Sequence, residues 1–380
     1  MTDLLSRVPD LARHSHAVIT GHQDPGGAYP ASPTFSAYRG YAWLRDGSFI
    51  AEGVSRWGDT DSVDRFHDWA TGVLVARADR VADLVAAVGR GEEIPIERML
   101  PTRFTLAGED GSDPWWDFQT DGYGMWLWQV VTHARRHGLD PARWRPGIEV
   151  AADYLVAVGT RACYDWWEEH VEQRHVSTLA AVRAGLLAAA DSGLLSPGLA
   201  AAARATAAEC RDLALSGVTA GRATDPAAPH LAKWLGSDAV DASLASCVVP
   251  FALVGPGDPL AAATLDAVAR DLDVDGGVHR FAADVFYGGG QWPLLSCLLG
   301  WNLAATGDVE GARRHLAWAV SQADAAGDLP EQVPDHLLAP DHRQEWIDRW
   351  GPVARPLLWS HGMLLILADE LRLLPPKDRR

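Results

Sequence analysis

The stretch Ser177-Thr178-Leu179-Ala180-Ala181-Val182-Arg183-Ala184-Gly185-Leu186-Leu187-Ala188-Ala189-Ala190-Asp191 decides the fold class. Its apolar residues recur at spacings of three and four, the period of an α-helix and not the alternation of a strand. The same period returns in Ser196–Leu215, Pro259–Leu272 and Gly311–Ala326. Working outward, it marks further segments near 3–15, 47–57, 61–90, 121–137, 145–159, 240–253, 291–306 and 355–373. The spacing therefore predicts about twelve helices. Hardly any stretch alternates with period two between turns, so no substantial sheet is expected.

The connections differ in kind. Asp191-Ser192-Gly193 and Gly307-Asp308 are short turns, whereas others are long and rich in Trp, Gly, Asp and Arg. Paired helices whose long connections gather at one end describe an all-α toroid of six inner and six outer helices, an (α/α)6 barrel, with a site in the mouth. No Pro/Gly-rich linker divides the chain, so residues 1–380 are expected to form a single domain. The least regular region, 216–240, is expected to be an insertion over the rim.

Composition narrows the function classes. The chain has 380 residues with 33 Lys+Arg against 50 Asp+Glu, a formal charge of -17 without a basic cluster, which argues against nucleic acid and anionic membrane surfaces. Apolar runs fall short of the roughly 18 residues that span a bilayer. The opening MTDLLSRVPDLARHSHAV lacks the layout of a secretory signal, so a cytoplasmic location is expected. Cys163, Cys210, Cys247 and Cys297 form no CxxC pair and read as buried thiols. His14/His16 and His170/His175 lack metal-ligand spacing, so no metal is expected. No GxSxG, P-loop or dinucleotide fingerprint occurs; Gly288-Gly289-Gly290 reads as a tight turn. The unusual count is 17 Trp, several of them beside carboxylates and arginines, the mixture of flat apolar face and charged acceptor that suits a sugar.

Two acidic sites stand out. In Cys163-Tyr164-Asp165-Trp166-Trp167-Glu168-Glu169, two carboxylates adjoin two indoles. They read either as dipole-stabilising charges at a helix start or as a general acid kept protonated by apolar packing. Glu331, in Gly327-Asp328-Leu329-Pro330-Glu331-Gln332-Val333, is either solvated surface or a base that activates water. In an inverting glycosidase two such carboxyls stand roughly 6.5–9.5 Å apart to admit that water.

Five segments, in order, resemble glycoside hydrolase family 15, the glucoamylase-type family. They are Tyr41-Ala42-Trp43-Leu44-Arg45-Asp46; Gln119-Thr120-Asp121-Gly122-Tyr123-Gly124; Tyr164 to Glu169; Arg280 through Gly288-Gly289-Gly290-Gln291-Trp292; and Leu329-Pro330-Glu331-Gln332 with Pro356-Leu357-Leu358-Trp359-Ser360-His361. The resemblance covers nearly the whole chain and implies the same (α/α)6 barrel. It implies that Glu168 is the general acid and Glu331 the general base, with Glu169 as a substrate contact. Arg45, Asp46 and Arg280 would then grip the nonreducing-end glucose, with Asp121 on the pocket rim. Tyr41, Trp43, Trp116, Trp167 and Trp292 complete the expected sugar contacts, and Trp115 and Trp126 are read either as rim or as core. Tyr38 is the candidate for positioning the catalytic water, with packing as the other reading.

The expectation is thus an inverting exo-acting α-glucoside hydrolase that needs no cofactor and binds only a small carbohydrate. Isomaltose or short isomalto-oligosaccharides are preferred; α-1,4 glucoamylase or trehalase activity is the alternative, and an epimerase, lyase or non-catalytic sugar-binding protein the remoter one. Neither the N-terminal β-sandwich nor the starch-binding module of some family members is expected.

Overall fold

The computed structural model describes residues 2–219 and 229–376. Its helices are α1 (Thr2–Ser6), α2 (Val8–His22), α3 (Leu44–Trp57), α4 (Thr60–Val75), α5 (Ala78–Gly89), α6 (Asp121–His137), α7 (Arg145–Val158), α8 (Val176–Asp191), α9 (Pro197–Ser216), α10 (Pro259–Leu272), α11 (Pro293–Thr306), α12 (Val309–Ser321), α13 (Arg343–Trp350) and α14 (Leu358–Glu370). Local chemistry sets many ends. Ser196, Asp258 and Asp308 cap the starts of α9, α10 and α12 by accepting backbone N–H bonds. Gly58, Gly138 and Gly307 close α3, α6 and α11 in the left-handed conformation.

The fold is an (α/α)6 barrel. Helices α3, α6, α8, the 3₁₀ segment Ala242–Cys247, α11 and α14 pack each on the next and close back onto α3. Outside them lie α2, α4, α7, α9, α10 and α12. Burial separates the layers. Leu358 to Ala368 of α14 and Pro293 to Asn302 of α11 are buried without a break, as befits helices surrounded on all sides, whereas α9 buries only one stripe. Glycines let inner helices touch: a Cβ on Gly53 would strike the Gly362 carbonyl of α14, and one on Gly185 would strike Gly124 of α6.

Connections from an inner to the following outer element include Gly58-Asp59 and Gly307-Asp308; those from outer to inner run through 23–43, 90–120, 159–175, 273–292 and 322–357. These long loops thus deliver their residues to the N-terminal ends of inner elements. The strands are confined to two-stranded ribbons, of which Tyr41–Trp43 paired with Arg103–Thr105 sets Trp43 opposite Arg103 at the mouth.

Several expected boundaries change. The helix expected over 240–253 is a 3₁₀ segment followed by turns, because Pro250 has no N–H and the Asn302 amide takes both the N–H and the carbonyl of Val249, at 3.0 and 3.1 Å. The segment 61–90 breaks into α4 and α5 around Ala76 and Arg77, and 3–15 becomes α1 and the longer α2. Helix α13, which was not expected, is wholly outside the barrel and buries none of its residues. Of the irregular region 216–240, residues 220–228 lie outside the described residues; the remainder packs beside α8, with the Lys233 carbonyl accepting from the Val176 N–H at 3.2 Å.

Candidate active site

A cavity of about 920 Å³, counted together with the open solvent at its mouth, lies at the N-terminal ends of the inner elements. Its floor includes Trp166 and Trp359, both packed on Phe49 in the barrel interior, so the pocket is blind. Most of the sequence candidates meet there: Tyr38, Trp43, Arg45, Asp46, Trp116, Trp167, Glu168, Glu169, Arg280, Trp292 and Glu331 all line the wall.

Two candidates stand behind it. Asp121, fully buried at the start of α6, faces Arg45 Nη1 at 3.5 Å and reaches the cavity only through that arginine. Tyr41 donates to Asp113 and packs its ring under the Arg103 guanidinium at 3.8 Å. Trp126 lies in the core, because position 126 of α6 points outward against His67 and the Gly147 backbone of α7.

Arg45 and Asp46 occupy the first turn of α3. Arg45 donates to Gln119 and faces Asp46 and Glu168, each at 3.6 Å. Burial pushes the Asp46 carboxyl up to about 7, with Arg45 working the other way. On the opposite wall Arg280 is clamped by Asp284, faces Glu169 at 3.7 Å and sits among the rings of Trp167, Phe286 and Trp292. Burial raises the Glu169 carboxyl, and Arg280 opposes it.

The loop carrying Glu168 is wound around Asp165. One Asp165 oxygen accepts from the backbone N–H groups of Trp167 and Glu169, both at 2.9 Å. Its other oxygen faces the Lys233 ammonium at 3.3 Å, and Lys233 also meets Asp241 at 3.0 Å. Asp241 in turn accepts from the Trp167 indole at 2.9 Å and from the Ser243 N–H at 2.8 Å, tying the loop to the 3₁₀ segment. This anchoring holds Glu168 at φ 66° and His170 at φ 55°, left-handed conformations that strain side chains of this size. The Trp43 indole donates to Glu168 Oε1 at 2.9 Å.

Glu331 reaches the same cavity from the loop before α14. Its N–H donates to the Ala354 carbonyl at 2.9 Å, Ser360 holds the Pro330 carbonyl and His361 accepts the Leu329 N–H. The Tyr38 hydroxyl donates to Glu331 Oε1 at 2.8 Å; Oε2 has no hydrogen-bond partner. With 2% of the residue exposed, burial pushes this carboxyl up to about 8, while Tyr38 and Arg280 favour its charged form. Burial, followed by Glu331 and Glu168, holds the Tyr38 phenol well above its ordinary value.

The cavity is rich in unused polar atoms. Arg45 Nε, Asp46 Oδ2, Glu331 Oε2 and the indole N–H groups of Trp115, Trp166, Trp292 and Trp359 are buried without hydrogen-bond partners. Flat indole faces beside charged and polar groups suit a ligand with hydroxyls and apolar ring faces. Among the described residues, no group of three His, Cys, Asp or Glu side chains is arranged to hold a metal ion.

Sequence reasoning missed Lys233, Asp241 and Asp284, whose pairings depend on distant loops meeting. It also missed Trp346 and Trp350 of α13, although Arg343-Gln344-Glu345-Trp346-Ile347-Asp348-Arg349-Trp350 spaces its two indoles one helical turn apart.

Comparison with known proteins agrees with this geometry. The model of the family glycosyl hydrolases family 15 matches residues 10–331. The chain is 68% identical to an isomaltose glucohydrolase of Kribbella flavida over 98% of this chain and 95% of that protein. A solved glycosidase variant in complex with glucose shares 67% identity, with a TM-score of 0.94 over 99% of this chain and 100% of that one. A bacterial glucoamylase complexed with acarbose, 20% identical, shares the fold with a TM-score of 0.74, covering 96% of this chain and 56% of its own.

Proposed function

This chain belongs to glycosyl hydrolases family 15, and from that premise we propose that it is an inverting exo-α-glucosidase that releases β-glucose from isomaltose and short isomalto-oligosaccharides. The observation that carries the reading is the meeting of Glu168 and Glu331 in one blind cavity beside Arg45, Asp46 and Arg280. A small carbohydrate is its partner. The similarity to the isomaltose glucohydrolase supports the α-1,6 linkage over α-1,4 or α,α-1,1.

The nonreducing glucosyl unit enters first, and its hydroxyls take up the free valences of Arg45, Asp46 and the indoles while Arg280 and Glu169 grip it from the other wall. Glu168 delivers its proton to the glycosidic oxygen as the bond to C1 breaks. Glu331 Oε2, free of protein partners, accepts a proton from the water that attacks C1 on the opposite face. Tyr38, by donating to Oε1, fixes which oxygen Glu331 presents. In its ionised form Glu331 is a stronger base than an ordinary carboxylate, and its raised pKa makes that form gain population as pH rises toward 8. One water is consumed per bond cleaved, and the anomeric configuration inverts. A blind pocket restricts attack to chain ends, because an internal unit has no exit for its nonreducing side.

We place this activity in the cytoplasm: the four cysteines are buried free thiols, and among the described residues no helix is long and apolar enough to cross a membrane. Our reading of residues 1–380 as a single barrel domain is supported by a buried cluster that, among the described residues, runs from Val8 to Ala368. The test is incubation of the purified protein with isomaltose, maltose and trehalose while proton NMR follows the anomer released. Initial β-glucose, fastest from isomaltose, is the expected result; initial α-glucose rules out inversion.

A further inference from the structure

Helix α13 adds to the barrel something that neither closure nor packing of the twelve-element ring requires. It buries none of its own residues, yet Trp346 and Trp350 reach down to line the cavity. Its attachments come from loops on separate sides of the mouth. Ser36 donates to the Trp350 carbonyl at 3.2 Å, Tyr287 donates to the Gly351 carbonyl at 2.9 Å, and the Trp346 indole donates to the Val285 carbonyl at 3.0 Å. The helix therefore bridges the mouth from the loop before α3 to the loop before α11.

Its two indoles meet fixed partners. Trp350 stacks on Trp115 with centroids 6.2 Å apart and 24° between planes; Trp115 is backed by the Arg103 guanidinium at 3.7 Å, and Arg103, 1% exposed, is tied to Asp113 at 2.6 Å. Trp346 packs edge-on to Phe286 at 4.9 Å. Arg349 lies over both indoles, 4.6 Å from Trp350 and 5.5 Å from Trp346. The wall is thus braced from behind and its partner helix is at the solvent end, whereas Arg45 and Asp46 are buried in the first turn of an inner helix.

We infer that α13 is a length gauge: Trp346 and Trp350 close the leaving-group side of the pocket around a single sugar, so that disaccharides are cleaved in preference to longer chains. This rests on the proposed exo-glucosidase reading. Indole faces stack on one pyranose ring well, and α13, attached on both sides of the mouth, stands across the way by which a third unit would leave a blind pocket. Selectivity then comes from excluding the longer substrate as well as from holding the shorter one.

The experiment compares kcat/KM for isomaltose and isomaltotriose in wild type, Trp350→Ala, Trp350→Phe and Trp346→Leu, with melting curves to confirm folding. Wild type should prefer isomaltose by about tenfold or more, the preference that loss of roughly one stacking contact can remove. Trp350→Ala should raise KM for isomaltose and lower it for isomaltotriose, bringing the ratio near unity; Trp350→Phe should keep most of the preference. Should Trp350→Ala not fold, Trp346→Leu carries the same test. Equal wild-type rates on the two substrates, or a parallel loss on both in the variants, would overturn the inference. If wild type cleaves maltose or trehalose but not isomaltose, the linkage assignment fails instead, and the gauge is tested with maltose against maltotriose.

Discussion

Two buried glutamates at opposite ends of the barrel have nearly equal burial and opposite electrostatics. Glu52, 1% exposed in the last turns of α3, meets Arg56 and Arg136, donors at 2.7 Å and closer, near the C-terminal ends of the inner helices. Burial works against its charge, but the two guanidiniums outweigh burial and hold the carboxyl below its ordinary value. Glu331, 2% exposed at the mouth, has Tyr38 as its only hydrogen-bonding side chain among the described residues, and burial wins. Burial alone therefore does not mark a functional carboxylate. What distinguishes the mouth is a buried acid left incompletely partnered, which stores free energy for a ligand and a proton.

The sharpest way to break this comparison is to neutralise the mouth glutamates. Glu168→Gln and Glu331→Gln should each lower kcat by about 10²–10⁴-fold with melting temperatures preserved, since general acid or base action contributes that much. Retention of more than a tenth of the activity in either variant would remove that residue from the mechanism. Lys233→Met probes a buried ion-paired cluster beside the mouth. It leaves Asp165 and Asp241 buried without their cation, so it should destabilise the fold by about 3–5 kcal/mol. It should also lower kcat by roughly tenfold through a misplaced Glu168. Denaturant unfolding alongside kcat and KM measures both; a stability loss with unchanged kcat would make the bridge purely structural.

At the closed end, Glu52→Gln should lower stability by about 3 kcal/mol, because it removes the buried carboxylate that Arg56 and Arg136 share. Folded Glu52→Gln should keep wild-type kcat and KM. A changed KM would mean that the closed end communicates with the pocket and that the contrast between the ends is false.

The sequence made some of this legible. Arg45 and Asp46 follow a short strand into α3 as one contiguous word, and the Glu168-Glu169 pair is adjacent to its indoles, so local order placed them. All-round apolar runs such as Leu294 to Leu299 announced inner helices by themselves. What stayed hidden depends on encounters across the chain. Lys233 joins Asp165 and Asp241 only after the irregular loop returns to α8, and Asn302 converts an apparent helix at 240–253 into turns by taking the Val249 backbone. Helix α13 escaped because its polar composition resembles a solvated loop, although its two indoles are what bind it to the mouth. Asp121 and Tyr41 show the converse: their motifs are readable, but the residues stand one step behind the wall, acting on Arg45 and Arg103.

The subtlest difference between the ends appears in stability against pH. A carboxyl raised in the folded state favours folding of its protonated form. For Glu331, lifted from 4.5 to about 8, the folded protein holds a proton that the unfolded chain releases, so stability falls as pH rises between those values and levels off above them. Glu331→Gln, an uncharged isostere, removes this penalty and should raise the melting temperature at pH 8 by on the order of a few degrees, with little change at pH 4.5. Glu52 has the opposite sign: its lowered carboxyl adds stability above the ordinary value, and that contribution fades as acid protonates it. The melting difference between Glu331→Gln and wild type should therefore grow in the positive direction as pH rises from 4.5 to 8, whereas that of Glu52→Gln should be negative and nearly constant over that range and shrink only as pH falls below 4.5. Calorimetric scans from pH 4.5 to 8 decide it: a pH-independent difference for Glu331→Gln would show that the mouth carboxyl is not held at a raised pKa, and the electrostatic contrast between the two ends would disappear.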